Sequence, residues 1–557
     1  MKRIYRFVMT DSFLTIKNLL MKTKYSIYII LFAALFVTGC KKEAFVEANL
    51  SPTTLYQIKP GDQFLAAASG SQDDFEYYYD VYRALNLWLQ YSTNGGATGN
   101  ALNFTNPNAN FNYRYAKVFY DRVGTRLADG IRIIDQMGDE DKAKYVHMKA
   151  IMQIFKAYYA FYVSDINGSM PYTEAFQGRY GGTLTPKYDT QQELFNTLDQ
   201  EIKAAVATLK SAPTATQTLL GTNDPFFGSS ANQVTQWVKA GNALRLKIAM
   251  RLMKRDAAKL TSIANEVIAD PVQMSNIDDS WALYTGPSYA DANGNWNPAT
   301  FLASKPVVDF MKAKSDPRLR IFYRPNTANG QYVGSFPSPD DSRLPANQPL
   351  YATAGAISQL QHRLFTPAFD EGNGPGNGQA FFPILTYAEY CFLRADLVAR
   401  NLVTNGGTAK EWYDKGVTAS IEYYSKRAVA AVVEGFTPVT AGEITAYLAA
   451  PGVVFDPTKA TEQIAVQAYL DFFRQPSEAW AWWKRTGFPN TTSVLPWANL
   501  TSNGAVMKLA RRASISVLPT TNLNFQNQQT ALTAMAADAG FGNGPNDAFG
   551  RVWWDMP

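Results

Sequence analysis

The sequence predicts a mostly α-helical fold, in which helical hairpins form a scaffold and long polar loops connect them. Apolar residues recur at three- and four-residue spacing in several segments, as on the buried face of an amphipathic helix. Capping boxes mark the points where several of these helices begin. Strand signals are few and short. With 557 residues, the chain is long enough to bury a sizeable core.

The first strong helix is predicted over residues 141–164, where large apolar side chains recur on one face. The residues Thr190 to Glu193 form a capping box, and an apolar stripe from Leu194 to Leu209 follows it. The next strong helix spans Trp237 to Ile248 on the same criterion. These segments therefore predict a series of helices packed side by side.

A helical hairpin is predicted from residue 386 onward. Two capping boxes, 386–389 and 408–411, each begin an apolar-striped helix, and Asn405-Gly406-Gly407 supplies a tight turn between them. Such hairpins stack into superhelices in repeat proteins. The spacing does not reproduce a tetratricopeptide consensus, so the pattern alone indicates helical hairpins and no particular repeat.

Residues 1–39 have the features of a secretory signal. A basic segment begins at Met21, an apolar run follows, and Val37-Thr38-Gly39-Cys40 ends it like the lipobox of a bacterial lipoprotein. The apolar run is about half of the roughly 20 residues that a membrane-spanning helix needs. Met21 is an alternative start of translation, and the alternative to a lipobox is an ordinary secretory signal. We expect a lipid on Cys40, a tether over 40–60 and one domain over 61–557.

Charge and composition exclude several classes of function. The whole chain carries 52 basic and 47 acidic residues, but without residues 1–39 there are 46 of each. No basic stripe remains for nucleic acid. Two histidines are too few for a His-rich metal site, and the second cysteine, Cys391, lies in an apolar helix where a buried thiol is expected.

Several motifs resemble the SusD/RagB family of nutrient-binding outer-membrane lipoproteins from Bacteroidetes. The matching stretches are DINGSMPYTEA (165–175), YDTQQELFNTLDQEI, WVKAGNALRLKIAMR, SDPRLRIFY (315–323), PILTYAEYCFLRADLVAR (383–400), QAYLDFFRQPSEAWAWWKRTGFP (467–489) and the terminal VWWD. Each is weak alone, but they occur in the family's order behind a lipobox.

The resemblance implies a tetratricopeptide-like helical scaffold with long loops covering one side. It also implies a lipid-anchored location on the outer face of the outer membrane. The implied partner is a SusC-like TonB-dependent barrel, to which the lipoprotein delivers a captured oligosaccharide or peptide. No enzyme activity and no cofactor are expected.

Candidate ligand-binding residues lie on loops, where a scaffold can present them. An exposed aromatic ring offers an apolar face to a sugar, and amides read its hydroxyl groups. Two regions combine these side chains, 88–113 and 281–296. The candidates are Trp88, Tyr91, Phe104, Trp281, Tyr284, Tyr289, Asn293 and Trp296. The alternative for each ring is packing of its loop onto the scaffold.

Other conspicuous residues are interpreted as structural. Trp480, Trp482 and Trp483 lie in a family-typical stretch and are expected to pack the scaffold. The segment starting at Asp291 begins like a calcium loop but has Leu302 where the loop's final glutamate belongs, which makes calcium only an alternative to a polar turn.

Two other function classes remain open at this point. A surface-anchored glycoside hydrolase would need two carboxylates facing each other across a cleft. An adhesin would need no small ligand. Turnover of a glycan would favour the hydrolase, and a gene for a TonB-dependent barrel directly upstream would favour a nutrient-binding role over the adhesin.

Overall fold

Helices supply most of the described structure. A computed structural model describes residues 58–72, 84–94, 111, 113–286, 301–365 and 378–557. The α-helices are α1 (Pro60–Ser69), α2 (Asn86–Trp88), α3 (Gly124–Asp135), α4 (Asp139–Lys142), α5 (Val146–Asn167), α6 (Gln191–Lys210), α7 (Gln233–Ala249), α8 (Ala257–Ala269), α9 (Lys305–Ala313), α10 (Leu319–Phe322), α11 (Pro339–Arg343), α12 (Gln348–Ala352), α13 (Tyr387–Ala399), α14 (Ala409–Ala430), α15 (Ala441–Leu448), α16 (Ala460–Asp471), α17 (Pro476–Thr486) and α18 (Phe525–Ala536).

Shorter helical segments connect them. A π-helical segment spans Tyr113–Val123, and 3-10 turns span Ala143–Tyr145, Gly178–Tyr180, Gly221–Asn223, Met250–Leu252, Ile277–Asp279, His362–Leu364, Pro457–Lys459, Phe472–Arg474 and Ala539–Phe541. The helix predicted over 141–164 is therefore present, but its first residues belong to α4 and a 3-10 turn, and α5 itself begins at Val146.

Side-chain caps begin the helices as the sequence predicts, with one difference. Thr190 and Thr408 both form complete capping boxes with the glutamates three residues later. Thr386 accepts a hydrogen bond from the backbone N–H of Glu389, but that glutamate does not return it. Its carboxylate instead forms an ion pair with Lys247 at 3.0 Å. A buried carboxylate needs a charged partner, because burial of an unpaired charge costs more free energy than the loss of a cap.

Helices that follow one another in the chain pack against each other. α5 packs against α6, α6 against α7, and α13 against α14, which is the predicted hairpin. The mostly helical fold of helical pairs is therefore confirmed in the described chain.

Within the described ranges, eight short strands join the helical scaffold. They are β1 (Ser92–Asn94), β2 (Trp281–Tyr284), β3 (Phe301–Ala303), β4 (Tyr323–Arg324), β5 (Gln359–Leu360), β6 (Phe381–Leu385), β7 (Thr501–Ser502) and β8 (Ala505–Val506). A four-stranded antiparallel sheet has the order β1-β3-β5-β4, and two further pairs are β2-β6 and β7-β8.

Aromatic residues and paired charges fill the core. Trp480 and Trp482 are 1% exposed, which confirms their predicted packing role. Beside them, Arg251 pairs with Asp165 at 2.8 Å and with Glu478 at 2.9 Å. Buried charges are tolerated only when paired. Burial opposes ionisation of Glu478, but the cations Arg251 and Lys247 outweigh it and lower its pKa.

The chain groups into two units by its contacts, Met1–Ile58 and Lys59–Pro557. The second forms one compact body. The first lies outside the described residues apart from Ile58, so the predicted leader, tether and Cys40 anchor stay predictions. Among the described residues, no helix combines the length and the apolar character that crossing a bilayer requires.

Candidate functional site

Two of the loops that the sequence selects are anchored side by side. In the four-stranded sheet, Asn94 at the end of β1 pairs with Phe301 at the start of β3. The chain therefore leaves β1 toward segment 95–110 next to the point where segment 287–300 returns to β3. The two candidate regions share one end of one sheet.

A third segment is anchored next to the second one. Tyr284 at the end of β2 pairs with Phe381 at the start of β6, and the N–H of Thr285 donates to the carbonyl of Ala380 at 3.1 Å. Segment 287–300 therefore begins beside the end of segment 366–377. We use the name loop-anchor edge for the two strand ends marked by the pairs Asn94–Phe301 and Tyr284–Phe381, which belong to two different sheets.

An aromatic and cationic cluster lies at the loop-anchor edge, in which Tyr284 is half-buried while Tyr423, Phe381 and Arg427 are buried. The Tyr284 ring lies 4.4 Å from the Arg427 guanidinium carbon, and its hydroxyl lies 3.3 Å from that of Tyr423. The ring of Tyr423 in turn meets Phe381 edge-on at 5.8 Å. A partly exposed phenol under a guanidinium combines an apolar face with hydrogen-bond donors, which is the chemistry that a sugar or a peptide group uses.

Sequence analysis missed the α14 side of this cluster. Tyr423 and Arg427 are four residues apart, so they occupy one face of that helix. In the sequence, this helix face shows only two side chains with polar ends beside a row of apolar residues. Nothing in it marks the pairing of β2 with β6, which brings Tyr284 to them.

Three candidate ligand-binding residues belong to the core. Trp88 and Tyr91 are 1% and 0% exposed, and Trp281 is 0% exposed. Such rings have no free face for a ligand, so ligand contact by these three finds no support. Their burial favours the alternative of packing onto the scaffold, because composition alone does not separate a ring that packs from a ring that is presented.

Each of the three rings has specific core partners. Trp88 meets Trp480 at 5.8 Å, and Tyr91 stacks on Tyr469 at 4.3 Å. Trp281 contacts Trp237 at 5.0 Å. Tyr91 and Trp281 nevertheless flank β1 and β2, so their packing fixes the strands from which the loops leave.

The remaining candidates lie outside the described residues. They are Phe104, Tyr289, Asn293 and Trp296, together with the lipid-attachment residue Cys40. Ligand contact by these residues stays a prediction, as does calcium binding by the segment that begins at Asp291. Within the described ranges, no three His, Cys, Asp or Glu side chains are grouped as a metal ion would require.

A second concave surface lies at the opposite end of β3. This groove, of about 520 Å³, is lined by Lys305, Pro306, Asp309, Phe310, Ala313, Lys314, Phe336, Pro337, Asp341, Val494, Pro496, Trp497 and Ala498. Its volume lies within the range of small-molecule sites. Phe336 is half-buried there, and Lys305 lies 5.6 Å from its ring centroid. The groove shares no residue with the loop-anchor edge.

Comparison with protein families matches the chain to the SusD-like model described as starch-binding and associating with the outer membrane. The match spans residues 63–510, most of the chain. This chain belongs to the SusD-like family. The resemblance seen in the motifs is thereby confirmed, and the family is one of carbohydrate binding at the outer membrane.

Solved structures of SusD-like proteins share the fold. A protein described as chitin-binding covers 90% of this chain and is itself covered completely, at 21% identity and a TM-score of 0.69. A SusD homologue from Bacteroides fragilis covers the same shares at 21% identity and a TM-score of 0.66. A chitin-binding SusD homologue from Flavobacterium johnsoniae covers 89% of this chain and is covered over 97% of its length, at 19% identity and a TM-score of 0.62.

At these identities, the structural neighbours establish the fold alone. The comparison with curated proteins finds no match. The tetratricopeptide-like arrangement of helical pairs expected from the motifs is therefore confirmed by structure, and the ligand and partner of this chain follow from inference.

Proposed function

We propose that this chain is a lipid-anchored protein of the cell surface that binds a nutrient and delivers it to a TonB-dependent transporter of the SusC type. The observation that carries the proposal is the SusD-like match over residues 63–510, with its description as starch-binding and associating with the outer membrane. The leader and the Val37–Cys40 lipobox support the anchored location.

We infer that the nutrient is an oligosaccharide, and a peptide is the alternative ligand for the same binding and delivery role. Two structural neighbours are described as chitin-binding. The candidate loops of this chain also combine aromatic rings with amides. A glycan needs both, since its ring faces are apolar and its edges carry hydroxyl groups.

The loop-anchor edge is the proposed place of binding. Three long segments are anchored there, and long loops on a rigid scaffold are where proteins usually carry binding residues. Tyr284 is the described candidate that combines partial exposure with this position. The groove at Phe336 is the competing surface, and the two are separable because they share no residue.

A pair of variants distinguishes these surfaces. Tyr284→Ala should weaken binding of the cognate oligosaccharide about two- to tenfold, because an aromatic contact contributes about 0.5–1.5 kcal/mol and about 1.4 kcal/mol corresponds to tenfold. Phe336→Ala is the matched control and should bind as the unchanged chain does. Calorimetric titration against a panel of oligosaccharides and peptides measures both. If Phe336→Ala alone loses affinity, the binding surface is the groove.

The delivery role is tested by extraction of the native outer membrane in mild detergent. A tag at the C-terminus retrieves the chain, and mass spectrometry identifies what accompanies it and whether Cys40 carries lipid. A TonB-dependent barrel in near-equal amount is the expected result. Recovery of the lipidated chain without a barrel would overturn the delivery role, and turnover of a bound glycan by the purified chain would favour the hydrolase instead.

A further inference from the structure

A separate cavity lies between the body of the scaffold and the C-terminal segment. It has a volume of about 180 Å³ and is lined by Gly168, Ser169, Thr190, Gln191, Gln192, Ala534, Met535, Asp538, Phe541, Arg551 and Trp553. One wall comes from the turn after α5 and the start of α6. The other comes from the end of α18 and the residues that follow it, which lie beyond the matched span that ends at 510.

The C-terminal wall is held firmly to the scaffold. The Trp554 indole N–H donates to the carbonyl of Asp165 at 3.0 Å, and its backbone N–H donates to the side chain of Gln191 at 3.1 Å. Arg255 forms an ion pair with Asp538. Because these contacts lie directly around the cavity, its walls are preorganised.

The cavity has an apolar aromatic side. Trp553 is half-buried, and Phe195 supports it edge-on at 6.5 Å between ring centroids. Phe541 is 3% exposed, and Met535 lies over Gly168, where a Cβ would come within 2.5 Å of the methionine methyl carbon. The absence of a side chain at Gly168 therefore keeps this side open and lets the thioether lie flat against the turn.

The opposite side offers unused hydrogen-bonding groups. The side chains of Ser169 and Gln192 make no hydrogen bond with another described protein group. The charges at the rim are already paired: Arg551 donates to Asp555 at 3.0 Å, and Asp538 is held by Arg255. A charged ligand would find no unpaired opposite charge here, whereas a neutral ligand with hydroxyl groups would find free partners.

We propose that this cavity binds a single neutral sugar ring. A pyranose has an apolar C–H face for Trp553 and hydroxyl groups at its edge for Ser169 and Gln192. The volume equals that of about six waters at about 30 Å³ each, which suits one ring rather than a chain. The inference rests on the glycan-binding part of the proposed function and adds a second, smaller site that shares no residue with the loop-anchor edge.

Such a site would hold the end of a glycan, or one side branch, at a fixed place on the scaffold. Its single-ring size would make it weak for a free monosaccharide. Attachment of that ring to a chain held elsewhere on the same protein would raise the effective concentration at the cavity, so the two sites would strengthen each other where the geometry permits.

The test uses the tryptophans as reporters. The chain carries 11 tryptophans, and 5-fluorotryptophan labelling gives each of them a ¹⁹F resonance. The resonance that disappears in Trp553→Phe is the one at the cavity. Glucose, galactose, mannose and N-acetylglucosamine are titrated separately. At least one should shift the Trp553 resonance in a saturable way. If none does, the proposal is overturned.

A blocking variant and its control separate pocket binding from other effects. Ala534→Trp places an indole in the cavity from the end of α18 and should abolish the shift. Ala536→Trp, exposed on the same helix but outside the lining, should leave it unchanged. Gln192 is exposed, so its substitution should not unfold the chain. Gln192→Ala should weaken binding about fivefold, as the loss of one hydrogen bond predicts.

The outcomes distinguish this site from the proposed function as a whole. If oligosaccharides bind and respond to Tyr284→Ala while the Trp553 resonance stays fixed, the cavity is not a sugar site and the nutrient-binding role stands. If a monosaccharide shifts Trp553 while no transporter co-purifies, the sugar site stands and the delivery role fails. A response of Ala534→Trp equal to that of the unchanged chain also overturns the proposal.

Discussion

Replacing Asp316 by asparagine tests how much the buried ion pairs of the scaffold contribute to stability. Asp316 and Arg318 both have 0% exposed side chains. One carboxylate oxygen accepts from Nε of Arg318 at 3.0 Å, and the other accepts from its terminal nitrogen at 2.8 Å. The substitution keeps the shape of the side chain and removes the charge.

The expected loss follows from what Arg318 retains. Removing one partner of a buried pair costs about 3–5 kcal/mol, because the other charge stays buried. In the variant, Arg318 still donates to Gln467 at 2.8 Å and to Tyr447 at 3.1 Å. Because Arg318 keeps these two hydrogen bonds, we expect about 3 kcal/mol, the lower end of that range.

Urea denaturation followed by tryptophan fluorescence and by circular dichroism measures this difference. Asp121→Asn is the matched control, since Asp121 and Lys117 form an exposed pair at 3.6 Å with side chains 60% and 55% exposed. That control should change the free energy of unfolding by less than about 1 kcal/mol. Equal stability of Asp316→Asn and the control would refute the reasoning, because the buried pair would then contribute no more than a surface pair.

Three further predictions concern single positions. Burial lowers the pKa of Lys484 to about 8, so the folded chain binds fewer protons than the unfolded chain between pH 8 and 10.5, and its stability should rise with pH there. In denaturation at several pH values, this rise should exceed that of Lys484→Met by about 3 kcal/mol. Parallel stability curves for the two chains would contradict this. Thr408→Ala removes the hydrogen bond to the N–H of Glu411 and should cost about 1 kcal/mol in the same assay, and a loss near zero would mean that water replaces the cap. Gly378→Ala places a Cβ 2.2 Å from the carbonyl oxygen of Ala431, so thermal unfolding should show a loss of about 1–3 kcal/mol; an unchanged midpoint would show that the backbone shifts freely there.

Local sequence signals predicted much of the helical scaffold. The Thr408 capping box and the turn at Gly406 specify α14 and its partner α13, because caps and turns depend on residues only a few positions apart. The reading of Thr386 as the start of a full capping box was half correct. Its glutamate is recruited by Lys247, which comes from a distant helix, so the outcome depended on tertiary packing.

The candidate site was less predictable because it depends on contacts between distant segments. Trp281 and Tyr284 are three residues apart, yet one lies in the core and the other is half-exposed. Strand pairing with β6 decides this, and a short strand gives little sequence signal. The sugar-sized cavity was missed for the same reason, since Ser169 and Trp553 lie nearly 400 positions apart.

The pairing of Asn94 with Phe301 and of Tyr284 with Phe381 has a consequence for the evolution of such a protein. Each pair fixes the start of one segment beside the end of another, and the closure entropy of a loop grows slowly, since each doubling of its length costs only about 0.6 kcal/mol. Insertions, deletions and whole-segment exchange at these three positions therefore leave the helices almost untouched. Grafting segment 287–300 from one SusD-like protein to another should transfer ligand preference while the recipient keeps its stability.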